Sequence, residues 1–231
     1  MANFFESDLK DITRLILVRH GRTNNNKEAR FGTLDDCPLD EVGRDQAKRV
    51  AKRLLEFEIN HIYSSPIQRA KETAEIIAAE QSQKVTVRPE LKEYNNGIVA
   101  GLTVEELRQK YPKIYLDMQG WINMGPIQNR PRFIAPEGES MDDFKKRILA
   151  FQDFILANHP GQIVVAVTHL AIIKGFMALL FGSSLNSQMN FLADNASVTV
   201  ADFYHQVPVL RSFNDTRHLE IKLKYGIVTA F

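Results

Sequence analysis

The feature that most constrains this 231-residue chain is the stretch Leu15-Ile16-Leu17-Val18-Arg19-His20-Gly21-Arg22-Thr23, an apolar run that ends abruptly on Arg-His-Gly. Four consecutive branched apolar residues bounded by polar ones suit a buried strand of a parallel sheet. In such sheets ligands lie beyond the carboxyl ends of the strands. Arg19 and His20 fall at that end. Gly21 then permits a backbone conformation, or a close approach of a ligand, that a side chain would obstruct.

Downstream, strand and helix signals alternate. Thr23 to Cys37 is polar and irregular and reads as a loop over the strand end. Asp40 is placed to cap a helix through about Phe57, with Ala47, Val50, Ala51, Leu54 and Leu55 on one face. His61-Ile62-Tyr63 is a short strand, and Ser65 as cap with Pro66 in the first turn predicts a helix to about Gln81. Arg69 thus sits in a first turn, directly after a strand end. Val85 to Val87 reads as a third strand, followed by a turn-rich loop from Pro89 to Gly101 that carries Glu93. Thr103 and Glu106 form a capping box for a helix ending before Pro112, and Tyr111 to Pro136 is a partly helical excursion of the kind that covers a site. Ser140 caps a further helix to about Asn158, with Phe144, Ile148, Phe151 and Ile155 as its stripe. Gln162 to Thr168 is a second continuous apolar strand, and it too ends on a histidine, His169. Leu170 to Phe181 is a buried helix stopped at Gly182, and Ser197–Tyr204 with Val207–Phe213 read as a pair of antiparallel edge strands.

This order predicts a three-layer α/β sandwich with a mostly parallel central sheet and an active site at the C-terminal ends of the strands. One domain over residues 1–231 accommodates it, with 111–136 as a lid or specificity segment. A formal net charge of +1, with both signs scattered, offers no broad basic surface for nucleic acid and no polybasic tail for a membrane. Cys37 is the only cysteine, and the first ten residues lack the apolar core of a signal peptide, so a cytoplasmic setting is expected. No HExxH or GxxxxGK[ST] pattern supports a metallohydrolase or a nucleotide kinase.

Val18-Arg19-His20-Gly21 with Thr23, Pro38-Leu39, Gly43, Gln46-Ala47, Tyr63-Ser64-Ser65-Pro66 with Arg69-Ala70 and Thr73-Ala74, Glu93 before Gly97 and Gly101, Gly138-Glu139-Ser140, and Thr168-His169 occur in that order. The ordered set resembles the histidine phosphatase superfamily, also called phosphoglycerate-mutase-like, from Leu15 to about Leu219. The resemblance implies phosphoryl transfer through a phosphohistidine on a small phosphorylated substrate, with no metal or other cofactor. His20 matches the nucleophile, Arg19 and Arg69 the phosphate-pocket arginines, and His169 the second pocket histidine, which as an imidazolium would stabilise phosphoryl oxygens. Glu93 matches the acid that protonates the leaving alkoxide. Asn26 matches an amide donor to the phosphate, and Leu170 offers a backbone N–H there.

The sequence departs from the family pattern at Arg22, where Glu or Gln is usual, at Gly32-Thr33 in place of Gln-Gly, and at Leu170-Ala171, where small residues are usual. Arg22 either adds a cation that favours a doubly anionic substrate or faces solvent. Arg130 and Arg132 are placed to meet a carboxylate or second phosphate. His61, His159, His205 and His218 match no catalytic position and are read as structural, and Trp121 as packing. A phosphatase is the first reading and a mutase the nearest alternative. A catalytically idle phosphate-binding module is the alternative of another class. A homodimer is left open.

Overall fold

The computed structural model describes residues 12–124, 133–204 and 206–219. Its centre is a six-stranded sheet in the order β3-β2-β4-β1-β5-β6, formed by β1 (Ile12–Arg19), β2 (His61–Ser64), β3 (Val85–Val87), β4 (Ile163–Thr168), β5 (Val198–Tyr204) and β6 (Val207–Asp215). β1 to β4 run parallel; β5 is antiparallel to β1, and β6 to β5. β5 therefore lies inside the sheet, and of the predicted pair of edge strands β6 alone forms an edge.

Strand alternation divides the apolar residues between two faces. Leu15, Leu17, Val164 and Ala166 pack on one side with Phe144, Ile148 and Phe151 of α6 (Met141–Asn158) and Ile172, Phe176 and Met177 of α7 (Leu170–Leu180). Ile16, Val18, Val165 and Val167 pack on the other with Val50 and Ala51 of α2 (Glu41–Arg53) and Ala70, Ala74 and Ile77 of α3 (Gln68–Glu80). Leu15 to Val18 are almost fully buried, each such side chain contributing roughly 1.5–3 kcal/mol. This is the predicted three-layer sandwich. A third apolar cluster, around Leu107, Met118 and Val99, belongs to the excursion containing α4 (Val104–Lys110) and α5 (Pro112–Ile122).

The caps follow sequence chemistry. Asp40 Oδ1 accepts from the Gly43 N–H at 2.7 Å, Ser140 Oγ from Asp143 N–H, and Thr103 with Glu106 completes its box. The loop after β1 contains one short helix, α1 (Asn24–Lys27), capped by Thr23. The predicted start of α3 is corrected: Ile67 is its cap, in an extended conformation, and no side chain caps it. Ser65 stands before the helix, with Oγ accepting from Ile67 N–H. Arg69 remains in the first turn.

Candidate active site

Register places the site. Arg19 pairs with Thr168 and Ser64 with Val167, so β1, β4 and β2 end side by side and their next residues are His20, His169 and Ser65. The backbone ladder continues one step further, with His20 N–H donating to Thr168 O and Ser65 N–H to Val167 O. Gly21 makes room, though for protein rather than ligand. A Cβ there would lie 2.4 Å from the Gly43 carbonyl oxygen, so the glycine lets the start of α2 close onto the loop.

Four of the predicted residues converge at these ends. His20 is buried, its Nδ1 lies 2.8 Å from Gly21 O, and Arg69 Nε donates to its Nε2 at 3.2 Å. A carbonyl can only accept, so Nδ1 carries the proton and Nε2 the lone pair. Burial, then Arg69 and Arg19, hold the His20 pKa well below 6.5. His169 lies with its ring centroid 5.1 Å from that of His20. Its Nε2 is 2.8 Å from Ser65 Oγ, and its buried Nδ1 has no partner among the described residues. Burial, followed by Arg69, His20 and Arg19, also drives its pKa well below 6.5. Burial and the surrounding Arg69, His20, Arg19 and Arg147 oppose protonation of the ring, so the imidazolium expected from sequence depends on the negative charge that a phosphoryl group brings. A Ser65 hydroxyl that donates to Nε2 would put the ring proton on Nδ1, whereas a ring that donates from Nε2 would leave Nδ1 bare.

Arg19 donates through one terminal nitrogen to Ala193 O at 2.6 Å, while its buried Nε has no partner among the described residues. Burial lowers its pKa to about 10, against the opposing pull of Glu93 and Asp194. Arg69 is anchored to Thr33 O and Asp35 O, and burial lowers its pKa too.

Glu93 enters from the side. Its Oε1 accepts the Tyr94 N–H at 2.8 Å and the Ala171 N–H at 3.2 Å, and the buried carboxyl group lines the cavity. Arg147 of α6 holds this loop, donating to Glu90 O, Lys92 O and Glu93 O and pairing with Glu139 at 2.7 Å. Thr168 Oγ1 binds Leu91 O from the end of β4. Asn26 Oδ1 accepts from Thr23 N–H and Asn195 Nδ2, which leaves its own Nδ2 as the group available to the cavity. Leu170 lines the cavity at the first turn of α7.

Arg22 does not join them. It pairs with Asp40 at 2.8 Å and is absent from the cavity lining, so of the two sequence readings neither holds fully: the cation is spent on a helix cap. Arg130 and Arg132 lie outside the described residues, as does His205. His159 is buried between Tyr63 OH and Gln162, His61 packs on it at 4.3 Å, and His218 bonds Ala196 O, as befits structural histidines. Sequence reading missed Ser65 as a partner of His169, Thr73, whose Oγ1 accepts the Gly21 N–H, and Asn195, which donates to His20 O. Trp121, read as packing, lines the cavity.

The cavity has a volume of about 180 Å³. Among the described residues no group of three or more His, Cys, Asp or Glu side chains could hold a metal ion, and no helix is long and apolar enough to cross a membrane.

The depressed histidine pKa values carry a stability consequence. Below about pH 6.5 the unfolded chain binds protons that folded His20 and His169 exclude, so stability is intact above that pH and declines as pH falls beneath it. Urea midpoints at about pH 7.5 and about pH 5.5 should show this decline, and it should shrink in His20→Gln/His169→Gln. Equal declines in both proteins would exclude these histidines as its source.

A site of this construction gathers cationic side chains where the parallel strands of an α/β protein end. Comparison with known proteins narrows the class: residues 15–216 match the histidine phosphatase superfamily (branch 1), and the chain belongs to that family. Phosphoserine phosphatase 1 of Hydrogenobacter thermophilus is 32% identical over 208 residues, covering 90% of this chain and 95% of that protein. Among solved structures, YhfR of Bacillus stearothermophilus superimposes with a TM-score of 0.79 at 30% identity, covering 90% of this chain and 100% of that one. A phosphoserine phosphatase of Entamoeba histolytica, solved with 3-phosphoglyceric acid, gives 0.74 at 30% identity, covering 90% and 99%.

Proposed function

We propose that this protein is a phosphomonoester hydrolase that works through a phosphohistidine on His20. The observation that carries the reading is the fixed tautomer of His20: a buried neutral ring whose Nε2 lone pair faces Arg69 beside the cavity. In the first step a phosphoryl oxygen takes the Arg69 Nε–H and frees that lone pair. The Nε2–P bond forms as the ester P–O bond breaks, and Glu93, entering the step as the carboxylic acid, passes its proton to the departing alkoxide and is left a carboxylate. Arg19 Nε, His169 Nδ1 and Asn26 Nδ2 supply further donors to the phosphoryl oxygens, and Gly21 O accepts from Nδ1–H as positive charge grows on the ring. In the second step water attacks phosphorus, its proton passes to Glu93, and the N–P bond breaks to release phosphate. Arg19 and Arg69 balance the negative charge of the phosphoryl group.

A full-length phosphoserine phosphatase relative supports hydrolysis over the mutase alternative, in which the phosphohistidine would be shielded from water and passed back to the product. The lone cysteine, Cys37, is a free thiol and fits the cytoplasmic setting expected from sequence. In the presence of EDTA the protein should release phosphate from an alkyl phosphomonoester, and with 2- or 3-phosphoglycerate and a bisphosphoglycerate primer it should show little isomerisation. Activity lost on chelation and restored by Mg²⁺ or Zn²⁺ would sink the metal-independent mechanism. Efficient interconversion with negligible phosphate release would establish the mutase.

A further inference from the structure

The cavity has two chemically different ends. Beyond the cluster of Arg19, His20, Arg69 and Glu93, its lining turns apolar: Phe31, Val99, Met118, Ile122, Phe133 and Ala135. These side chains belong to neither face of the central sheet. They form or pack against the separate cluster closed around Leu107, so the wall has a packed backing rather than loose surface chains. Two polar groups beside it are already engaged. The Arg30 guanidinium is shared between Glu28, Glu106 and Gly101 O, and Asn96 Nδ2 donates to Gly32 O.

From this we propose, resting on the phosphatase reading above, that the physiological substrate class is the phosphate monoester of an apolar or aromatic alcohol. Among the described residues, an ammonium or carboxylate against these six side chains would surrender hydration without gaining a partner from them. An alkyl or aryl group instead covers apolar surface, gaining roughly fourfold in affinity for each methylene fully buried. Binding energy collected on this wall, remote from phosphorus, is available to orient the ester for attack by His20. Lys174, a buried residue of α7 that also lines the cavity with Nζ 3.8 Å from Met189 Sδ, is the cation through which an anionic leaving group would be recognised instead. The test must therefore include such a group.

The experiment measures kcat/KM for ethyl, butyl and hexyl phosphate, 1-naphthyl phosphate, phosphoserine, and a carboxyalkyl phosphate matched in length to the hexyl ester. The proposal expects a rise approaching roughly fourfold per methylene along the alkyl series. It also expects phosphoserine and the carboxylated ester to fall about tenfold or more below hexyl phosphate. In Ile122→Ser the hexyl-to-ethyl ratio should shrink, and because that ratio is taken within one protein a partly unfolded fraction cancels. A flat alkyl series, or preference for phosphoserine or the carboxylated ester, overturns the apolar class while leaving the phosphatase reading in place. Failure of every ester to phosphorylate His20 removes both.

Discussion

His20→Ala should abolish formation of the phosphoenzyme and depress turnover on the order of 10⁴-fold or more, as expected when the nucleophile of a two-step transfer is deleted. The size of the effect follows from the architecture. Among the described residues, His20 alone places a lone pair toward the cavity with its other nitrogen tied to a carbonyl, and His169, the neighbouring ring, has its Nε2 against Ser65. Truncation to alanine leaves the ladder from His20 N–H to Thr168 O intact, so the strand end should survive. It also relieves the fold of a buried imidazole. Rapid quench with a radiolabelled ester should give acid-labile, base-stable label in the parent protein and none in the variant. Label that persists would move the nucleophile to another side chain, with His169 the first to test.

What the sequence made legible depended on how local the physics was. A continuous apolar run ending on Arg19-His20, and another ending on His169, announce two buried strands with imidazoles at their ends, because burial on both faces leaves no alternation to confuse the reading. That the two ends are level with each other, and with Ser65, is a matter of parallel register, set by pairings more than a hundred residues apart. Helix caps at Asp40, Thr103 and Ser140 were legible for the same local reason. Ser65 was misread because Ser-Pro before a helix looks like a cap; the extended Ile67 delays the helix and releases the Ser65 hydroxyl toward His169. The electrostatic surroundings of His169 were not legible, because the number of cations around it is a tertiary fact. The apolar wall was invisible for a related reason. Phe31, Val99, Met118 and Phe133 show no shared period and come together only through the fold.

Glu93→Gln offers the second large effect and isolates the proton donor. Glutamine keeps an Oε1 that can still accept the Tyr94 and Ala171 N–H groups, so the loop and the first turn of α7 stay joined. The change falls on the other oxygen, which is replaced by an amide nitrogen unable to act as the acid. A general acid matters most for a poor leaving group, since an alkyl alkoxide needs a proton that a nitrophenolate does not. The variant should therefore slow phosphorylation of His20 by an alkyl phosphate on the order of 10²-fold or more, and by p-nitrophenyl phosphate much less. Single-turnover measurement is required, because Glu93 also receives the proton of the attacking water and its loss depresses steady-state rates for both esters. Glu93→Ala serves as the contrast: it frees the Tyr94 and Ala171 N–H groups as well, so any additional loss reports on the loop. Equal slowing of the phosphorylation step with both leaving groups in Glu93→Gln would make Glu93 a positioning residue and leave His169, as an imidazolium beside the phosphoryl group, as the donor to test.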